Sequence, residues 1–180
     1  TESNYGYTLF FKLAENGKFT TEVADWLIEK GADINIPTKF GMTNLSRSCL
    51  SGNFESAKYF MDKGIKIAKD DLHYAVCGGN YEIVKMLLEL ENDLKDISYS
   101  FFDAIVSKRT NIVELFLQKG ATPNFYSGSG ITPLHRATLN KDIQTAQILL
   151  KYNANVNAKL KSYAGFVYCL LYTSDAADEL

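Results

Sequence analysis

Two histidines, three cysteines and one adjacent pair of aspartates are the side chains with the most evident capacity for chemistry. His73 and His135 are the only imidazoles, and a lone histidine without a converging Cys, His or carboxylate cluster makes neither a catalytic centre nor a metal site. Cys49 and Cys77 have no paired metal-ligand spacing, so both read as buried, reduced thiols. Asp70-Asp71 could draw a cation, but an acidic pair at a helix start is accounted for as a cap followed by a first-turn charge facing the helix dipole. Gly78-Gly79-Asn80 has the glycines of a phosphate loop without its Gly-Lys-Ser/Thr ending. Asn44-Leu45-Ser46 fits a glycosylation sequon, yet it falls at a helix start beside a core leucine. These residues predict no catalytic group, cofactor or metal.

The elements that carry these residues are repeated. The string Gly130-Ile131-Thr132-Pro133-Leu134-His135-Arg136-Ala137 is one copy of a unit that recurs along most of the chain, and such recurrence decides architecture before single residues do. Thr132 is placed to cap a helix and Pro133 sits where its missing N–H costs nothing. Leu134 and Ala137 share a face one turn apart. Ile143, Ala146, Leu149 and Leu150 give a second helix an apolar stripe. Thr8 and Thr43 occupy the cap position in earlier copies, and Asp70 takes it in the third. Gly31, Gly64 and Gly120 follow the last apolar residue, where a left-handed stop favours glycine.

Five copies run over about residues 5–37, 38–67, 68–93, 94–124 and 125–158, with a sixth begun at 159–168. The sequence resembles the ankyrin repeat family over roughly residues 5 to 158. That resemblance implies an all-α solenoid of stacked helix-turn-helix pairs with β-hairpin fingers projecting between copies. It also implies that His73 and His135 tie repeats together by hydrogen bonds to backbone. A single helix pair cannot bury its apolar face, whereas stacked pairs can. Gly41 to Ala68 is about 27 residues and Ala68 to Ile97 about 29, against about 33 for the consensus, so the fingers after Gly64 and Glu91 should be short. An insertion near Thr20-Thr21 separates the helices of the first copy, and Phe102 replaces the pattern histidine in the fourth.

The tail Cys169 to Leu180 resembles the translation of a transposase mosaic end with its sequencing adapter, so 169–180 is read as adapter read-through and set aside from fold reasoning. With no initiator Met at Thr1, the remainder, 1–168, reads as an internal fragment of a longer protein. The final helix pair, with Ile143, Leu149 and Leu150, then lacks its covering neighbour, so a protein monomeric in its native context is expected to associate end to end or fray there.

A net charge of −2 gives no basic footprint for nucleic acid, and no apolar run reaches the roughly 18 residues of a membrane span. The family resemblance implies a non-catalytic module that binds another protein on its concave face, through finger tips and the variable slot of each first helix. Carried over residue by residue, that surface comprises Lys39, Phe40, Met42, Phe125, Tyr126 and Ile131 in the fingers, accompanied there by Thr38, Asn124 and Ser129. Arg47, Tyr74, Asp103 and Arg136 fill the helix slot. Aromatics and arginines are the side chains that form binding hot spots. The alternative is the regulatory or targeting segment of a larger enzyme or ubiquitin-ligase adaptor. A cytoplasmic or nuclear setting is expected.

Overall fold

The computed structural model describes residues 7–15, 19–90 and 97–161. Among these, ten α-helices form and no strand does. They divide into two compact units, Thr1–Leu94 and Lys95–Leu180. The first holds three helix pairs, α1 (Leu9–Glu15) with α2 (Thr21–Glu29), α3 (Asn44–Ser51) with α4 (Phe54–Asp62), and α5 (Asp71–Gly78) with α6 (Tyr81–Leu90). The second holds α7 (Ser98–Val106) with α8 (Thr110–Gln118) and α9 (Pro133–Leu139) with α10 (Ile143–Lys151).

Capping chemistry fixes where the first helices begin. The Thr8 hydroxyl accepts from Phe11 N, and Thr43 and Thr132 accept from Ser46 N and His135 N, each closing a reciprocal box. His135 therefore completes the cap of its own copy, its Nδ1 standing 2.8 Å from Thr132 Oγ1. That bond occupies Nδ1 and leaves Nε2, the nitrogen available for a tie to the following copy, which begins at 159 and lies mostly outside the described residues. Asp70 is a correction, since its side chain makes no cap bond. Asp71 acts instead: fully buried, it accepts from Ala68 N at 2.7 Å and from Ser46 Oγ at 2.6 Å, joining the starts of α5 and α3. Burial raises its carboxyl above the ordinary aspartate range, opposed by those two hydrogen bonds.

Four of the helix pairs turn through a residue with left-handed backbone, the turn of the first pair lying partly outside the described residues. Gly52 and Gly79 do this in the first unit, whereas Lys108 and Lys141 adopt φ of 54° in the second. The helix stops Gly31, Gly64 and Gly120 are also left-handed, with φ from 84° to 93°. At Gly78 a glycine answers a different need, close approach: a Cβ there would run into the backbone carbonyls of Cys49 and Leu50, so α3 and α5 pack together without a side chain between them.

Within the first unit α3 lies between α1 and α5, and α4 packs on α6; within the second, α7 packs on α9 and α8 on α10. The cores repeat the sequence stripe. Phe10, Leu45, Phe60, Leu72, Ile83 and Leu87 fill the first, and Phe101, Ile105, Ile112, Phe116 and Leu149 the second. Ile143 and Leu150 were assigned to that stripe but are exposed, along with Leu139, Val156 and Leu160. Two asparagines bind neighbouring pairs through backbone: Asn80 Nδ2 donates to Gly52 O at 2.9 Å, and Asn140 Nδ2 to Ile105 O at 3.0 Å.

The fingers are tight turns rather than paired strands. Thr38 N donates to Met42 O and Gly41 N to Thr38 O, and Ser127 N with Gly130 N repeats the arrangement toward Ile131 O and Ser127 O. Residues 63–70 between α4 and α5 form a short link beside the longer 30–43 and 119–132. The link after Glu91, most of the sixth copy and the tail 169–180 lie outside the described residues.

Candidate partner-binding surface

In the first unit, the 38–42 turn thrusts Phe40 outward at 80 % exposure, with Lys39 also exposed and Met42 half-buried. Thr38 is buried because its hydroxyl, accepting from Met42 N at 3.1 Å, staples the turn from inside. Arg47 is not an open slot residue. Its guanidinium lies 5.4 Å over the Phe11 ring and pairs with Glu15 at 2.8 Å. The hydrogen bond from Lys12, followed by the charge of Arg47, holds the Glu15 carboxyl below its ordinary range. Tyr74 is half-buried with its ring tilted against His73 at 5.7 Å. Cys77, expected buried, is exposed, one turn along α5 from His73 and 3.7 Å from its Nε2. Cys49 is buried between α3 and its neighbours, and desolvation pushes its thiol upward.

In the second unit a cavity of about 480 Å³ opens between α7 and the finger. Tyr99, Phe102, Asp103 and Val106 line it from the helix, and Phe125 to Ser129 from the finger. Of the residues expected here, Asp103, Phe125 and Tyr126 are brought together. Phe125 is held by Phe101 and Phe102, with ring centroids at 5.8 and 6.1 Å. The Tyr126 hydroxyl donates to Lys159 O at 3.1 Å, and the Lys161 ammonium sits 4.1 Å above the ring. Arg136 reaches back from α9 to lie 5.5 Å over Phe102. Ile131 does not belong to the open surface: at 4 % exposure it is packed beneath the turn, the position just before the Thr132 cap pointing inward.

Tyr99, 65 % exposed, and Val106 were missed by a reading that took one slot per helix. They stand four residues before and three after Asp103, so helical geometry places all three on one face. The signal was available in the spacing. Asn44, the sequon residue, is buried, its Nδ2 donating to Ile34 O at 2.7 Å, which leaves no room for a glycan. Among the described residues no group of three or more His, Cys, Asp and Glu converges on one point, and no helix is long and apolar enough to cross a membrane.

Comparison with known proteins bears on this surface. A family model for ankyrin repeats in three copies matches residues 10–98 and again 72–160. This chain belongs to the ankyrin repeat family. Ankyrin repeats are protein-interaction modules and in general carry no catalysis of their own. The chain is 29 % identical over 143 residues to the E3 ubiquitin-protein ligase XBAT32 of Arabidopsis thaliana, covering 75 % of this chain and 28 % of that protein. It is 29 % identical over 153 residues to a putative ankyrin repeat protein of Rickettsia bellii, covering 84 % and 38 %. With the putative ankyrin repeat protein L371 of Acanthamoeba polyphaga mimivirus it shares 26 % over 100 residues, covering 50 % and 13 %. The chain thus spans less than a third of the length of its ligase relative and well under half of the other two.

Proposed function

We propose that this chain binds another protein through the first helices and fingers of its repeats, with the groove between α7 and the 125–129 turn as a principal seat. The observation that carries the reading is that groove: an apolar trough ringed by Tyr99, Phe102, Phe125 and Tyr126, open to solvent on the side where Tyr99 stands exposed. Hot spots concentrate in such aromatic pockets, where a partner's side chain is desolvated. The finger tip at Lys39 and Phe40, with Met42 behind it, offers a second contact region on the first unit.

Site-specific photo-crosslinking tests the assignment. With a benzoylphenylalanine at position 99 of the full chain, the bound protein should crosslink, and the same group at the outward-facing Lys85 of α6 should capture nothing. Tyr99→Ala should weaken the captured partner by about 1 kcal/mol or more. Crosslinking from position 85 with silence at 99 would place the interface elsewhere.

A second reading, that the chain is the targeting segment of a larger enzyme or ligase adaptor, draws on the ligase relatives of Arabidopsis thaliana and Oryza sativa. A ubiquitin-ligase signature in the flanking reading frame would support it, and flanks consisting solely of further repeats would remove its basis.

A further inference from the structure

Resting on that reading of the groove, we propose that Arg136 donates to a carboxylate of the bound protein, so that this site selects an acidic side chain set beside an apolar one. The chain builds the same stack twice. In the first unit Arg47 of α3 lies over Phe11 of the preceding first helix, and in the second Arg136 of α9 lies over Phe102 of α7. Arg47 and Arg136 each stand four residues after a capping threonine, Thr43 and Thr132. Phe11 and Phe102 hold the position before the variable slot of their own helices, each directly following a fully buried phenylalanine, Phe10 or Phe101.

The two stacks differ in one component. Glu15, one turn beyond Phe11, closes the first by placing a carboxylate 2.8 Å from Arg47. In the register set by the buried positions, the residue of α7 that corresponds to Glu15 is Val106, which is exposed and lines the groove. Arg136 forms no ion pair among the described residues; its Nε is buried without an acceptor, as is that of Arg47, so the missing carboxylate is what sets the two stacks apart. Asp103 occupies the same slot one copy earlier, yet the two side chains form no ion pair. A guanidinium held over an aromatic ring carries a rigid, planar donor fork, which suits a planar carboxylate and makes lysine a poor substitute. The first unit shows what completes the stack, and the groove beside Phe102 gives the residue next to the incoming acid an apolar seat.

The probe is a displayed library of random dodecapeptides, panned on the full chain, with the best binders resynthesised and titrated. Enriched peptides should carry Asp or Glu. Replacing that acid by Asn or Gln should weaken binding about tenfold against the wild type and hardly at all against Arg136→Gln. Val106→Glu supplies the carboxylate internally, as Glu15 does for Arg47, and should weaken the acidic peptides to a similar degree while leaving circular dichroism unchanged. Enrichment of peptides lacking an acid, an equal loss against wild type and Arg136→Gln, an unaltered affinity for Val106→Glu, or no enrichment at all would each overturn the proposal. Crosslinking from position 99 is independent of Arg136, so it would still decide whether the groove itself is the interface.

Discussion

Gly78→Ala places two physical effects in opposition, and the structure says which prevails. Gly78 closes α5 within ordinary helical backbone, where alanine is worth up to about 1 kcal/mol over glycine. The added Cβ would meet the carbonyl oxygen of Cys49 head-on, with Leu50 O at 2.9 Å and Gly52 N at 3.0 Å. All three are backbone atoms, so no rotamer change relieves the contact and α3 and α5 must move apart. Overpacking of this kind costs about 1 to 3 kcal/mol or more, and separation also loosens Leu45, Cys49 and Val76, all fully buried. The expected net result is a loss of about 1 to 2 kcal/mol. Urea unfolding followed by fluorescence of Trp26, the single tryptophan and a residue of the first unit, would register it as a lowered midpoint. Gly128→Ala is the control, since a Cβ there meets nothing within 4 Å, and it should shift stability by less than about 0.5 kcal/mol. An unchanged or raised midpoint for Gly78→Ala would mean that helix propensity governs this position and that the close approach is not a constraint.

Lys108→Gly and Lys141→Gly should each stabilise the second unit by up to about 1 kcal/mol, since a left-handed lysine carries a strain of that order that glycine avoids; a loss on calorimetry would count against the assignment. Asn80→Ala should cost about 1 to 2 kcal/mol, because Asn80 both caps α6 through Glu82 N and Ile83 N and bonds Gly52 O. Equilibrium unfolding indistinguishable from wild type would show the tie to be idle. For Asp71, the raised folded pKa means the folded state holds the proton more tightly than the unfolded chain. Its contribution is therefore fully present below about pH 3.8 and is lost as pH rises through the folded value. The Asp71 carboxyl carbon resonance should titrate above the ordinary aspartate range, and a midpoint at or below that range would refute the desolvation argument. Peptide-mapped labelling by a disulfide reagent at pH 8 should modify exposed Cys77 at least about a hundredfold faster than Cys49, which is buried and whose thiol is raised by desolvation; equal rates would contradict the burial.

The helix pairs were legible because their signals are local. Thr43 and Thr132 with the residues three positions on, and the apolar stripes through Phe60 and Leu149, encode caps and faces within one turn of chain. What escaped was decided between elements. Asp70 and Asp71 are adjacent acids, and only the position of Ser46 on another helix determines which is buried. Ile131 and Phe40 both read as finger apolars, yet one lies under its turn and the other on top. That His135 also closes the cap of its own helix through Nδ1 depends on its ring turning back toward Thr132. The groove was half legible: Asp103, Phe125 and Tyr126 came from the slot and finger rules, while Tyr99 and Val106 required asking which residues flank the slot on the same helical face.

Asn80 and Asn140 hold adjacent pairs together by addressing main-chain carbonyls rather than side chains. A bond to a carbonyl is indifferent to the identity of the residue that bears it, so the neighbouring pair can accumulate substitutions without breaking the joint. The lateral fastening and the recognition surface are thereby uncoupled. Slots such as those of Arg47 and Arg136, or a closing position such as that held by Glu15 in one pair and Val106 in another, can diverge one copy at a time. A segment duplicated or exchanged by recombination would arrive with its fastener intact and its surface free to drift.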